Sequence, residues 1–147
     1  MRFMMMFRAS EGSEAWENPS EKSLTEMGLV MAEMAEKGVL LAGEGLLPSS
    51  RGVRMQLSGG KQRVVDGPFA ETKELIAGFC LIEVASREEA LEWGWRCLAA
   101  DDGNSGGLEI RQVATEADFG AEFTPEARAR EAATGVKVAE NYRSSST

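Results

Sequence analysis

Two carboxylates, two cations and one aromatic ring gather around a short glycine-rich stretch: Glu44, Asp66, Arg54, Lys73 and Phe69, with Glu71 and Glu74 close by in sequence. A carboxylate in a dry pocket has a raised pKa and can serve as acid or base near neutral pH. In that role Asp66 and Glu44 would move protons, Lys73 or Arg54 would hold an anion, and Phe69 would wall the pocket. Paired carboxylates can also bind a hard cation such as Mg²⁺, but their spacing shows no ligand loop, and no metal site is expected. Gly59-Gly60 lacks the Lys-Ser/Thr that follows a phosphate loop, so no nucleotide and no other cofactor is expected either.

The chain contains no histidine. That removes Ser-His-Asp and Cys-His catalysis, His-ligated zinc or haem, and imidazole proton transfer. Proton transfer would fall to a carboxylate, lysine, Tyr142, a thiol or water. Cys80 and Cys97 fit neither a disulfide framework nor a zinc spacing. Each lies in an apolar run with no imidazole to stabilise a thiolate, so both read as reduced, buried thiols.

The elements that would position these groups belong to a chain of 147 residues, 43% hydrophobic, which is enough for one compact domain with a short appendage. The formal net charge is −8 and the 16 basic residues are scattered, as in Lys61-Gln62-Arg63. Phosphate recognition needs clustered Lys and Arg, so nucleic acid is not an expected partner. Met1–Arg8 is apolar too briefly for a signal peptide, and no stretch nears the roughly 18 apolar residues of a membrane span. A cytoplasmic protein without a membrane partner is expected.

Residues 2–8 predict a buried strand, and Ser10–Glu17 a loop. Asn18-Pro19-Ser20-Glu21 resembles a helix start, with Asn18 as N-cap. The helix is expected over 19–37, with Leu24, Met27, Met31 and Met34 on its apolar face and Gly38 as its stop. A short strand over 39–41 leads into a loop. Val53–Ser58 and Lys61–Asp66 flank Gly59-Gly60 as a hairpin with a two-residue turn. In that register Ser58 pairs with Lys61, Met55 with Val64 and Val53 with Asp66, which puts Asp66 on the face of Val53, Met55 and Leu57. That face is expected to be buried, so the carboxylate must be paired, hydrogen-bonded or at a pocket edge. Asp66-Gly67-Pro68 also has a purely structural explanation as a strand end and turn.

Glu71–Glu74 predicts a polar turn of up to one helical turn, and Ile76–Val84 an interior strand. Ser86–Glu89 is a capping box that opens a helix through about Ala99, with Leu91, Trp95 and Leu98 as its stripe. Leu108–Val113 forms a last strand. The order β-α-β-β-β-α-β fits an antiparallel ferredoxin-like (split βαβ) sheet with an inserted hairpin strand and helices on one face, an α+β fold. The domain is expected over 1–114. Residues 115–147 form a C-terminal arm, with a short helix from Pro125 to about 133, that packs on the sheet or on a partner subunit.

The run Val65-Asp66-Gly67-Pro68-Phe69-Ala70-Glu71-Thr72-Lys73-Glu74, with Gly78-Phe79 after it, resembles the signature of the DGPF branch of YCII-related proteins. Ala42-Gly43-Glu44-Gly45-Leu46 and Ala90-Leu91-Glu92-Trp93 match as well. The resemblance implies a dimeric α+β barrel, built by two ferredoxin-like sheets meeting face to face, and frequent linkage to extracytoplasmic-function sigma factors. Some relatives are presumed enzymes with a His–Asp pair. Aligned on Gly38, that His falls near Met27 and the Asp near Glu36, so the base is missing here. The leading expectation is a small-molecule-binding or accessory protein, a homodimer taking a small acidic or polar ligand. The alternatives are a cofactor-free enzyme using Asp66 and Glu44, and a purely structural dimer.

Overall fold

Alternation sorts the opening strand in the computed structural model, which describes residues 1–145. In β1 (Arg2–Arg8), Phe3 and Met5 are buried in the core and Phe7 packs against it, while Met4 and Met6 point to the other side. After a one-turn helix α1 (Glu11–Glu14), helix α2 (Glu21–Glu36) leads to β2 (Leu40–Gly45). The hairpin β3 (Val53–Ser58) and β4 (Lys61–Asp66) follows, then β5 (Ile76–Glu83), α3 (Arg87–Asp101), β6 (Leu108–Gln112) and α4 (Pro125–Ser145). The four-stranded sheet runs β2-β5-β1-β6, with every neighbouring pair antiparallel. This is the ferredoxin-like α+β arrangement, with α2 and α3 on the face of Phe3 and Met5.

The core joins Phe3, Met5, Cys80 and Ile82 of the sheet to Val30 and Met34 of α2 and to Ala90, Trp93 and Cys97 of α3. On the opposite face, the register places Met4 beside Leu81 and Met6 beside Phe79. None of these four belongs to the core.

Several elements differ from the sequence expectation. Ser10–Glu17 is not all loop, because the Ser10 hydroxyl accepts from Ser13 N and nucleates α1. The N-cap of α2 is Ser20, whose hydroxyl accepts from Ser23 N, so the helix begins two residues later than Asn18 suggests. Leu24 is exposed and Ser23 takes the inward place, donating from its hydroxyl to the Ala100 carbonyl at 3.0 Å. In α3 the buried stripe is Ala90, Trp93, Gly94, Cys97 and Ala100, while Trp95 is exposed. Gly94 lets α3 approach β6: a Cβ there would lie 3.0 Å from Ile110 Cδ1 and 3.2 Å from Leu108 Cδ2. The expected loop after Leu41 continues as strand to Gly45, paired with β5. The expected short helix after Pro125 extends to Ser145.

The hairpin forms in the expected register, but it is not a strand of the main sheet. It makes its own two-stranded sheet. By contacts the chain divides into one compact unit over Met1–Val113 and a second from Ala114 onward. No helix among the described residues is long and apolar enough to cross a membrane.

Candidate functional site

The Asp66-Gly67-Pro68-Phe69 run owes its local form to Ser49. A Cβ on Gly67 would lie 1.7 Å from the Ser49 carbonyl oxygen, so only glycine fits. Gly67 N donates to the Gly52 carbonyl at 2.9 Å, and Phe69 N donates to Ser49 Oγ at 3.1 Å. Ser49 Oγ in turn donates to Glu14 Oε2 at 2.7 Å. Backbone and side chain thus tie the hairpin root to α1 through one serine. Arg54 lies over the Phe69 ring at 4.1 Å, a cation–π contact.

Asp66 is the main correction. It does pair with Val53 on the face of Met55 and Leu57, but that face is open: Met55 is 77% exposed and Leu57 74%. Asp66 is itself exposed. Alternation assigns side chains to faces of a strand pair, yet a face is buried only where another layer covers it. Because the hairpin leaves the main sheet, α2 and α3 do not cover it. The Asp66 carboxylate has no hydrogen bond or ion pair among the described residues.

Glu44 lies on edge strand β2 opposite Phe79, exposed on the sheet face away from the helices. Asp66 and Glu44 are therefore not brought together in a dry pocket. Arg54 and Phe69 meet each other rather than a cavity.

Lys73 does reach a cavity. A cleft of about 440 Å³ lies where β1 ends and β5 and β6 begin, with Arg8, Lys73, Glu74 and Glu109 as its charged lining. Leu75, Ile76 and Leu108 supply its apolar wall. The sequence supports this geometry locally. Ala9 N donates to the Leu75 carbonyl at 2.9 Å and Arg8 N to the Gly107 carbonyl at 2.9 Å, which clamps the end of β1 between the segments that enter β5 and β6. Arg8 Nε donates to the Lys73 carbonyl at 3.0 Å, and Nη2 donates to the same oxygen. The guanidinium carries five N–H donors in a rigid fork, and two of them meet that carbonyl. Arg8 was legible only as the end of a strand. Lys73, which stands before β5, was the one predicted site residue that the fold carries to it.

The thiols stay outside this chemistry. Burial pushes Cys80 up to about 11 and Cys97 up to about 12, so neither supplies a thiolate near neutral pH. Cys80 Sγ sits 3.8 Å from Met31 Sδ in the core.

The sequence pattern of the YCII-related domain matches residues 1–117. An uncharacterized protein of Rhizobium meliloti (strain 1021) is 35% identical over 103 residues, covering 69% of this chain and 82% of that protein. Among solved structures, 5-chloro-2-hydroxyhydroquinone dehydrochlorinase from Burkholderia phenoliruptrix AC1100, in complex with 2,5-dihydroxybenzoquinone, aligns with a TM-score of 0.43 at 13% identity. That alignment covers 82% of this chain and all of that one.

Proposed function

This chain belongs to the YCII-related domain family, and we propose that it is a non-catalytic small-molecule-binding protein whose cleft at Arg8 and Lys73 takes a small anionic ligand. The observation that carries this is the Arg8 guanidinium, oriented by the Lys73 carbonyl in a cleft that both residues line. A fixed guanidinium beside a second cation suits a carboxylate or phosphate. Leu75, Ile76 and Leu108 suit a short apolar body, and Glu74 and Glu109 suit hydroxyl or amine donors on it. Exposure of Asp66 and Glu44 supports leaving both out of proton transfer.

The Asp66–Phe69 run supports placing the chain in the DGPF branch. The half-buried apolar face of Met4, Met6, Phe79 and Leu81, which lies outside the core, supports a homodimer. With no histidine present, a cytoplasmic accessory role beside an extracytoplasmic-function sigma factor fits better than catalysis. A sigma-factor gene found next to this one would support that part, and its absence would count against it.

The test is a thermal-shift series against small carboxylates and phosphorylated metabolites, repeated on Lys73→Gln and Arg8→Gln. A ligand at a hundred times its dissociation constant adds about 2.7 kcal/mol of stability. The expected result is a shift for the unaltered chain that falls by more than half in each variant. Absence of a shift across the series, or shifts in both variants as large as that of the unaltered chain, would falsify the anion-binding reading.

A further inference from the structure

We propose that the cleft at Arg8 takes an aliphatic α-amino acid, its carboxylate on the Arg8 guanidinium, its ammonium on Glu109 and its side chain against Ile76. The inference rests on the anion-binding reading of this cleft and adds what holds the other end of the ligand. Two cations and two carboxylates line the one cleft: Arg8, Lys73, Glu74 and Glu109. Among the described residues none of the four forms an ion pair. Opposite charges that share a cleft without neutralising each other suit a molecule that carries both signs. A simple anion is served less well, because it is drawn by Arg8 and Lys73 and opposed by Glu74, Glu109 and the net −8 of the chain. A zwitterion is neutral as a whole and meets both signs.

The strands set the two poles. Arg8 N donates to the Gly107 carbonyl at 2.9 Å, two residues before Glu109 on the neighbouring strand. Glu109 itself pairs with Met6, two residues before Arg8. Arg8 and Glu109 therefore hold nearby positions on adjacent strands. The Lys73 carbonyl takes an N–H from Nε and one from Nη2, which leaves three of the five guanidinium donors for a carboxylate. An α-amino acid carries its carboxylate and its ammonium on one carbon, so nearby residues of opposite sign match it.

The wall selects the body. Leu75, Ile76 and Leu108 line the cleft, no aromatic residue among the described ones does, and Ile76 is 38% exposed. An aliphatic side chain laid on Ile76 removes apolar surface from water. The volume of about 440 Å³ lies toward the small end of ligand sites, roughly 300–1,000 Å³. One amino acid suits it better than a nucleotide or a peptide.

The experiment is isothermal titration calorimetry on the full chain with three probes. They are L-leucine, isocaproate, which lacks the amine, and isoamylamine, which lacks the carboxylate. L-Leucine is expected to bind at least about tenfold more tightly than either fragment. Glu109→Gln should bring L-leucine down to the affinity of isocaproate, while isocaproate itself binds no more weakly than before. A merely structural role for Glu109 would lower both affinities together. Arg8→Gln should weaken L-leucine and isocaproate alike. Glu109 is exposed, and circular dichroism checks that each variant keeps its fold.

Either fragment binding as tightly as L-leucine overturns the amino-acid assignment, and with isocaproate the anion-binding reading still stands. A preference for L-leucine that survives Glu109→Gln overturns it as well. Silence from all three probes, while another carboxylate or a phosphorylated metabolite shifts the melting temperature, overturns this inference alone. Silence from every one of them overturns both readings.

Discussion

Gly67 has no room for a methyl group. Its would-be Cβ falls 1.7 Å from a backbone oxygen of Ser49, which is not the end of a flexible side chain that could swing away. Gly67→Ala is therefore expected to destabilise the Met1–Val113 unit by about 3 kcal/mol or more through overpacking, read as a lower urea midpoint. A midpoint within the error of the unaltered protein would refute the close approach. At this scale the motif is first a turn, and three of its residues do separate jobs. Gly67 N bonds to the Gly52 carbonyl while its bare Cα packs on Ser49, Phe69 N bonds to Ser49 Oγ as its ring carries Arg54, and Asp66 is exposed. Residue type alone could not separate these jobs, because a carboxylate ahead of a Gly-Pro turn has the same sequence whether its strand face is covered or bare.

Between α2 and α3, Glu33 takes a hydrogen bond from Arg96 and lies 2.8 Å from Lys37 Nζ. Arg96 first and Lys37 second hold its carboxyl down at about 2, against an ordinary 4.5. A carboxyl whose pKa falls on folding adds stability that is fully present above its unfolded value and is lost as pH drops through the folded one. The window is thus from about 4.5 down to about 2. Thermal melts of Glu33→Gln and the unaltered protein should differ near neutral pH and converge across that window. Parallel curves would show that the pair contributes nothing.

Helix existence was legible from the Asn18–Glu21 start, from Ser86 and from the stop at Gly38, but the exact N-cap of α2 and the buried stripe of α3 were not. A size-weighted reading selects Leu91, Trp95 and Leu98. Packing instead chose Ala90, Gly94, Cys97 and Ala100 beside Trp93, because small residues allow the close seat on β6 that Leu108 and Ile110 fill.

All core residues lie between Phe3 and Ile110, within the Met1–Val113 unit. A chain ending at Val113 is expected to keep a single cooperative urea transition with its midpoint little changed. Loss of cooperativity would mean that residues from Ala114 onward complete the core.

The order of elements, the turn at Gly59-Gly60, the pairing of Val53 with Asp66, and the loss of every histidine-dependent chemistry were determined by sequence alone. Each rests on local propensity, on the two-residue period of a strand, or on composition. Tertiary structure decided which faces are covered and which ends of strands meet. It left both faces of the hairpin bare and drew Arg8 to Lys73 across 65 residues. The physical reason is that burial and cavities come from contacts distant along the chain, which no local period encodes.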